Sequence, residues 1–337
     1  MVLLYHVATR YQMSDLDPVA TFFARFGAYG VDIFFPLSGY LITKSLLRDQ
    51  SAPAIKVFFI RRFFRIVPLY FSALLFYIIV SVALQRGVDI LPNMWINATF
   101  LTGWFMIFDW RDYIPYTITW SLSVEEFSYI LLGVCALYVF RGYAALLAGF
   151  CIIAMLTRLY LFSEGYPEIH YFPLARLDSI AMGGIVAIAI KHNLPRKPVL
   201  WGLLGAFALA CFLVQLGGLW QKVFFFVALP LFPCILIYVF EAYYKSWQPK
   251  YMSHYSLIGF YSYFIYLFHL FAIDGIMLVL GKAGIVSAPF WGVAFLAALA
   301  TIVASIFSHA WFEAPLMRFG RKLERPTFGL RHRGGNA

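Results

Sequence analysis

The chain has 337 residues, of which 62% are hydrophobic and only 12% charged, with 36 Phe and a mean hydropathy of +0.79. That is more apolar surface than one water-soluble core can hide, so a soluble globular domain is excluded and a bilayer is the expected solvent. The net charge of +10 follows the membrane topology that the Lys and Arg positions define, and no nucleic-acid partner is expected.

Met1 to Val7 has the pattern of the last turns of a helix, too short to cross and without the flanks of a signal peptide. Apolar stretches near 20 residues follow at 28–48, 66–85, 119–140, 144–163, 174–190, 199–217, 222–240, 257–281 and 289–312. These are about nine full spans for a hydrocarbon core of roughly 30 Å. The stretch from Asn93 to Phe108 is apolar but short and ends in Asp109-Trp110-Arg111-Asp112, so an interfacial or re-entrant segment is expected there. Together these predict an all-α, polytopic integral membrane bundle of about ten transmembrane helices with the first one truncated. One transmembrane domain, 1–317, should be followed by a basic tail, 318–337.

Lys and Arg collect on cytoplasmic loops. Lys44, Arg48, Lys56, Arg61, Arg62 and Arg65 precede the second full span; Arg141, Lys191, Arg196, Lys197, Lys245 and Lys250 mark later loops on the same side; and the tail adds Arg318, Arg321, Lys322, Arg325, Arg331 and Arg333. That side holds eighteen of the 26 Lys and Arg, leaving eight for the other, which makes it cytoplasmic and puts the C-terminus there. Cys135, Cys151, Cys211 and Cys234 lie within apolar spans, lack metal-ligand spacing and read as helix-packing residues; no metal or resident cofactor is expected.

Several segments carry chemistry. His6 near the end of the first segment is either an interfacial residue or a reactive one. Gly30-Val31-Asp32-Ile33-Phe34-Phe35-Pro36-Leu37-Ser38-Gly39 sets an acid near a span entrance and a Pro/Ser/Gly break within the span, which either lines a cavity or is a packing kink. Arg62 and Arg65, three apart on one helix face, read alone as a positive-inside anchor, though guanidinium forks also suit phosphate oxygens. The aromatic-rich stretch from Trp95 to Tyr116 fits sugar stacking and an interfacial belt alike, and Asn97-Ala98-Thr99 matches a glycosylation sequon, to which little weight attaches.

Glu125 and Glu126 are the most telling pair. An ionised carboxylate near a bilayer interior costs about 2.5–3.5 kcal/mol on insertion scales, so each should face a protein cavity and have a task. Adjacent helical residues point about 100° apart, and Ser121, Glu125 and Ser128 share one face, which selects Glu125 over Glu126 as the cavity residue. Similar stripes run through Ser262, Tyr266 and His269 and through Ser305, His309 and Glu313. They fit a shared polar interior or an interhelical hydrogen-bond network. Arg176 and Asp178, at the start of another span, read as an interfacial pair or as part of that interior.

The strings GVDIFFPLSGYLI, RRFFRIVPLY, TWSLSVEEFSYI, YSYFIYLFHL and WFEAP, in this order, resemble the membrane-bound acyltransferase-3 family, bacterial enzymes that O-acylate surface and secreted carbohydrates. The resemblance implies transfer of an acyl group, usually acetyl, from cytoplasmic acetyl-CoA as cosubstrate to a hydroxyl of a carbohydrate or lipid-linked glycan across the bacterial inner membrane. His6 resembles the family's essential first-helix histidine, and Arg62 and Arg65 its cytoplasmic pair implicated in acyl-CoA use. Asp32, Glu125, Glu126, Arg176, Asp178, His269 and Glu313 occupy its other recurrent polar positions. The family carries an arginine about eleven residues before that histidine, so on this resemblance the natural chain is expected to begin upstream of Met1; the soluble esterase-like domain that members often carry is not in this sequence.

An alcohol is a poor nucleophile near neutral pH, and a histidine with a pKa of about 6.5 typically contributes about 10²–10⁴-fold as a base. His6 is expected either to deprotonate the acceptor hydroxyl or to carry the acyl group as an acyl-imidazole. Glu125 or Glu126 would orient the imidazole or the acceptor, Asp32 is grouped with them as a catalytic candidate, and Arg62 and Arg65 would hold the CoA phosphates. The rival expectation is a polytopic transporter or flippase of a lipid-linked sugar, whose intramembrane acids and histidines would relay protons. It predicts internal repeats, and the sequence carries none.

Overall fold

The computed structural model describes residues 1–48, 51–108, 110–138, 142–166, 168–244, 252–285 and 288–328; Asp109, Arg141, Lys245, Lys250, Arg331 and Arg333 lie outside them. Among the described residues there is no strand. In chain order the helices are α1 (Val2–Ala8), α2 (Pro18–Phe26), α3 (Gly30–Leu46), α4 (Ala52–Leu84), α5 (Met94–Ala98), α6 (Thr102–Phe105), α7 (Trp120–Tyr138), α8 (Tyr143–Ser163), α9 (Leu177–Lys191), α10 (Arg196–Gln215), α11 (Gly218–Val239), α12 (Met252–Lys282), α13 (Phe290–Ser308) and α14 (Ala314–Phe328). Single π-helical segments continue α11 (Phe240–Tyr244) and α13 (His309–Glu313).

Seven stretches among the described residues are long and apolar enough to cross a membrane: Ala54–Leu84, Tyr143–Ser163, Pro173–Lys191, Arg196–Gln215, Gly218–Tyr243, Tyr261–Lys282 and Phe290–Glu324. The chain is an all-α integral membrane protein. The two expected spans missing from this set are the polar ones. Helix α3 has only 17 residues, about 26 Å of rise, and α7 dilutes its 19 residues with three serines and two glutamates. A second difference lies in α4, whose 33 residues make about 50 Å of helix. The basic run from Lys56 to Arg65 is therefore the first half of one continuous helix and not a loop before a span. The stretch from Asn93 to Phe108 is broken into the short helices α5 and α6 around Phe100, at φ 58°, so neither can cross. The expected boundary at residue 318 falls inside α14.

Packing divides the chain into two compact units, Met1–Val31 with Ile60–Leu75 and Pro249–Ala337, and Asp32–Phe59 with Phe76–Gln248. In the first, α1 lies against α2, α12 and α13 around a core of Val7, Ala8, Ala20, Ile273, Phe290, Val293, Ala294 and Ala297. Helix α2 starts where the sequence provides a cap: the Asp17 carboxylate accepts from the amides of Val19 and Ala20 at 2.8 and 3.0 Å, and Pro18 occupies the first turn, where its missing N–H costs nothing. These amides and the indole of Trp291, 2.7 Å from Asp17 Oδ2, hold the Asp17 carboxyl below the usual range. Tyr263 donates to the Ile66 carbonyl at 3.2 Å, tying α12 to the middle of α4.

In the second unit α9 packs on α8 and α11, and α10 on α11. Glycines set how closely α3 meets α9. A Cβ on Gly39 would lie 1.9 Å from the Ile180 carbonyl oxygen, and one on Gly183 1.9 Å from that of Pro36. Small residues let membrane helices approach to backbone contact, and this contact fixes Asp32 and Ser38 on α3 relative to the start of α9.

Candidate active site

In the first unit the short helix α1 presents His6, half-buried, to His269 on α12, which is 1% exposed. Their rings lie 5.1 Å apart with a 42° tilt, and Tyr5 packs edge-on against His6 at 4.9 Å. Nδ1 of His269 is 2.6 Å from the Tyr266 carbonyl oxygen. A carbonyl can only accept, so Nδ1 carries the ring proton and Nε2 keeps its lone pair. Nε2 is buried and has no hydrogen-bond partner among the described residues.

In the second unit the polar face of α7 is buried: Ser121, Glu125 and Ser128 are 5%, 7% and 1% exposed. Glu125 accepts from Ser38 at 3.2 Å and from Tyr129 at 2.8 Å, whereas Glu126 is only half-buried. Ser128 turns its hydroxyl back to the Val124 carbonyl at 2.7 Å. Asp32, 4% exposed, pairs with Arg176, which is fully buried with its guanidinium 4.7 Å from the centre of the Phe226 ring and 5.7 Å from that of Phe35. Asp178 pairs with Arg158 at 2.6 Å and accepts from the Ser179 amide at 2.9 Å; Arg158 also donates to the Ala175 carbonyl at 2.7 Å.

Arg176 and Asp178 are thus buried and are not each other's partner. Residues two apart at a helix start point about 200° apart, and each meets a different opposite charge. Sequence reasoning missed Arg158, although a lone arginine in the apolar run 144–163 is itself a signal of a buried acid, and it missed Tyr129 and Ser38 as the hydroxyls holding Glu125. The sequon Asn97 is fully buried, its Nδ2 within 2.9–3.1 Å of the Tyr116 carbonyl and the Thr119 and Thr102 hydroxyls. It organises the loop between α4 and α7 and is not open to glycosylation.

The stripe through Ser305, His309 and Glu313 crosses the π-helical turn His309–Glu313, where residues five apart come level. Glu313 therefore accepts from Ser308 at 3.0 Å, and it lies in the field of Arg65. On α4, Arg62 is half-buried and Arg65 exposed, while Arg61 grips Glu324 of α14 with two bonds of 3.0 and 2.6 Å. In the loop before α9, His170 stacks on Phe226 and touches Tyr171 and Trp120. Burial and the charge of Arg111 push its pKa down to about 4, outweighing the Glu168 carboxylate 3.7 Å from Nδ1.

A helical membrane protein with paired buried ions and two histidine rings in contact belongs to the class that does chemistry, or moves charge, within a bilayer. The model of the acyltransferase domain family, the acyltransferase-3 family, matches residues 1–309, and the chain belongs to that family. It is similar to the peptidoglycan O-acetyltransferase OatA of Listeria monocytogenes, 37% identical in a 123-residue alignment that covers 32% of this chain and 19% of that protein. It is also similar to the Bacillus subtilis protein named "Putative peptidoglycan O-acetyltransferase YrhL", 28% identical over 49% of this chain and 29% of that one. A Staphylococcus aureus protein named "Putative O-acetyltransferase SACOL0978" is 26% identical over 48% and 30%. The chain thus spans under a third of the length of these relatives. No solved structure matches it.

Proposed function

We propose that the protein is an O-acetyltransferase that moves an acyl group, acetyl first among them, from cytoplasmic acyl-CoA to a hydroxyl of a cell-envelope glycan, from a seat in the bacterial inner membrane with its C-terminus in the cytoplasm. The observation that carries this reading is the juxtaposition of His6 and His269 in a chain of the acyltransferase family. Two of the relatives are named for peptidoglycan, which supports a glycan as acceptor class.

His6 is the base, or the carrier of the acyl group. In direct transfer the acceptor hydroxyl gives its proton to His6 as its oxygen attacks the thioester carbonyl, the C–O bond forms and the C–S bond breaks, and the proton leaves with CoA as its thiol. In the relayed route the His6 nitrogen attacks first and the acyl-imidazole is then opened by the hydroxyl. Arg62 and Arg65 on the basic half of α4 suit the phosphates of CoA, while Arg61 is engaged by Glu324. The Arg158–Asp178 and Arg176–Asp32 pairs keep the second unit's interior charged yet neutral in sum, and Glu125 stands in that interior with two hydroxyls on it.

The test is to incubate the purified protein in lipid vesicles with acetyl-labelled acetyl-CoA and crude envelope glycan. Labelled glycan is the expected product. Movement of a lipid-linked sugar across the vesicle membrane with no label on the glycan would instead favour a flippase.

A further inference from the structure

The histidine couple holds a function that a single base does not use. His269 is anchored by Nδ1 to the Tyr266 carbonyl at 2.6 Å, and this fixes both its tautomer and its ring plane. Nε2 is left without a partner among the described residues, in a side chain only 1% exposed, and the centres of the His269 and His6 rings are 5.1 Å apart. A buried acceptor left unsatisfied destabilises the fold, and such atoms call for an explanation in the working cycle. Packing alone does not need it, because Leu or Phe would fill the space without leaving an orphan nitrogen. Asp274, the nearest acid on α12, is turned to Arg10 at 2.7 Å at the surface.

We propose that His269 is the proton-accepting partner of His6, a positioning and relay residue that acts through it. This rests on the O-acetyltransferase reading. As the acceptor hydroxyl gives its proton to one nitrogen of His6, the proton on the other nitrogen passes to Nε2 of His269, and the couple returns one proton to the departing CoA thiolate. The bond count is that of direct transfer: C–O forms, C–S breaks, and the hydroxyl proton ends on sulfur.

The chemistry distinguishes this from a structural role. His269→Asn keeps an amide N–H near the Nδ1 position for the Tyr266 carbonyl and removes Nε2; His269→Gln puts an amide near Nε2 that cannot take a proton. Each variant, in vesicles, is given acetyl-CoA with either the glycan or hydroxylamine, whose lone pair needs no base before attack. The expected result is a loss of about a hundredfold or more toward glycan, an unchanged KM for acetyl-CoA, and hydroxylamine acetylation within a few-fold of the parent. Equal losses toward both acceptors, or glycan transfer near the parental rate, would overturn the proposal. A parent protein that acetylates neither acceptor refutes the O-acetyltransferase reading itself. A measurement on the parent guards against variants that fail to fold: nitrogen NMR of labelled histidine should show the Nδ1–H tautomer with a bare Nε2 on His269, and a proton on Nε2 in the resting protein also overturns it.

Discussion

In the second unit the buried acids are answered by partners that cancel or share their charge: Asp32 meets Arg176, Asp178 meets Arg158 and Glu125 takes the hydroxyls of Ser38 and Tyr129. In the first unit the polar couple is the half-buried His6 and the buried His269, rings in contact, one with its tautomer locked and a nitrogen left open. Opposite full charges in low dielectric hold each other in place and are costly to disturb. Imidazoles in contact can exchange a proton near neutral pH with little rearrangement. The comparison assigns framework to the ion pairs and chemistry to the histidines, and substitutions in the two regions should fail in different ways.

The largest expected effect is on folding. Asp178→Asn strands the Arg158 charge, 2% exposed in its side chain, at a cost of about 3–5 kcal/mol, a large share of the roughly 5–15 kcal/mol that holds a typical fold. A melting curve in detergent should show most of the protein lost or melting far earlier. The double change Arg158→Met with Asp178→Leu should recover most of that loss, because removing both charges removes the desolvation cost as well. Recovery of the melt without recovery of transfer would move this pair out of the framework and into the chemistry.

Next comes the choice between adjacent glutamates. Glu125→Gln should slow glycan acetylation by about ten- to a hundredfold, and Glu126→Gln should stay within a few-fold, with initial rates on equal amounts of folded protein as the measure. Tyr129→Phe, which removes the 2.8 Å bond to Glu125, should fall between them. The reverse ranking would show that the half-buried acid is the working one.

A smaller effect is expected at the basic half of α4. Replacing Arg62 and Arg65 together by Gln should weaken binding of CoA several-fold and flatten its dependence on salt, read by calorimetric titration at two ionic strengths. Equal affinities would leave these residues as topological anchors.

The smallest is a pH effect at His170, in the second unit. His170 titrates at about 4 in the folded protein and at about 6.5 unfolded. Between those values the unfolded chain binds more protons, so stability rises with pH across that window and this group adds no slope above it. His170→Gln should therefore narrow the gap between melting temperatures measured at pH 5 and at pH 7.5.

The helical membrane class was legible because composition and span length are properties of the chain alone. The histidines, the glutamates and the arginines could be picked out singly, since each is a polar group in an apolar run. Their partners were another matter. His6 and His269 are 263 positions apart, and Asp32 reaches Arg176 only because Gly39 and Gly183 let α3 and α9 touch. Arg158 could have been flagged as a charge in a span, yet its partner follows from how α8 meets α9, not from spacing. The Glu313 stripe misled because an i, i+4 rule fails across a π turn, a local geometry that no residue type announces.

The measurement that bears most directly on the central claim is label transfer from acetyl-CoA to glycan by His6→Ala, compared with the parent at equal amounts of folded protein. The account predicts a rate at least about a hundredfold lower with a melting temperature close to the parent's. A rate near the parent's would take the chemistry away from the histidine couple.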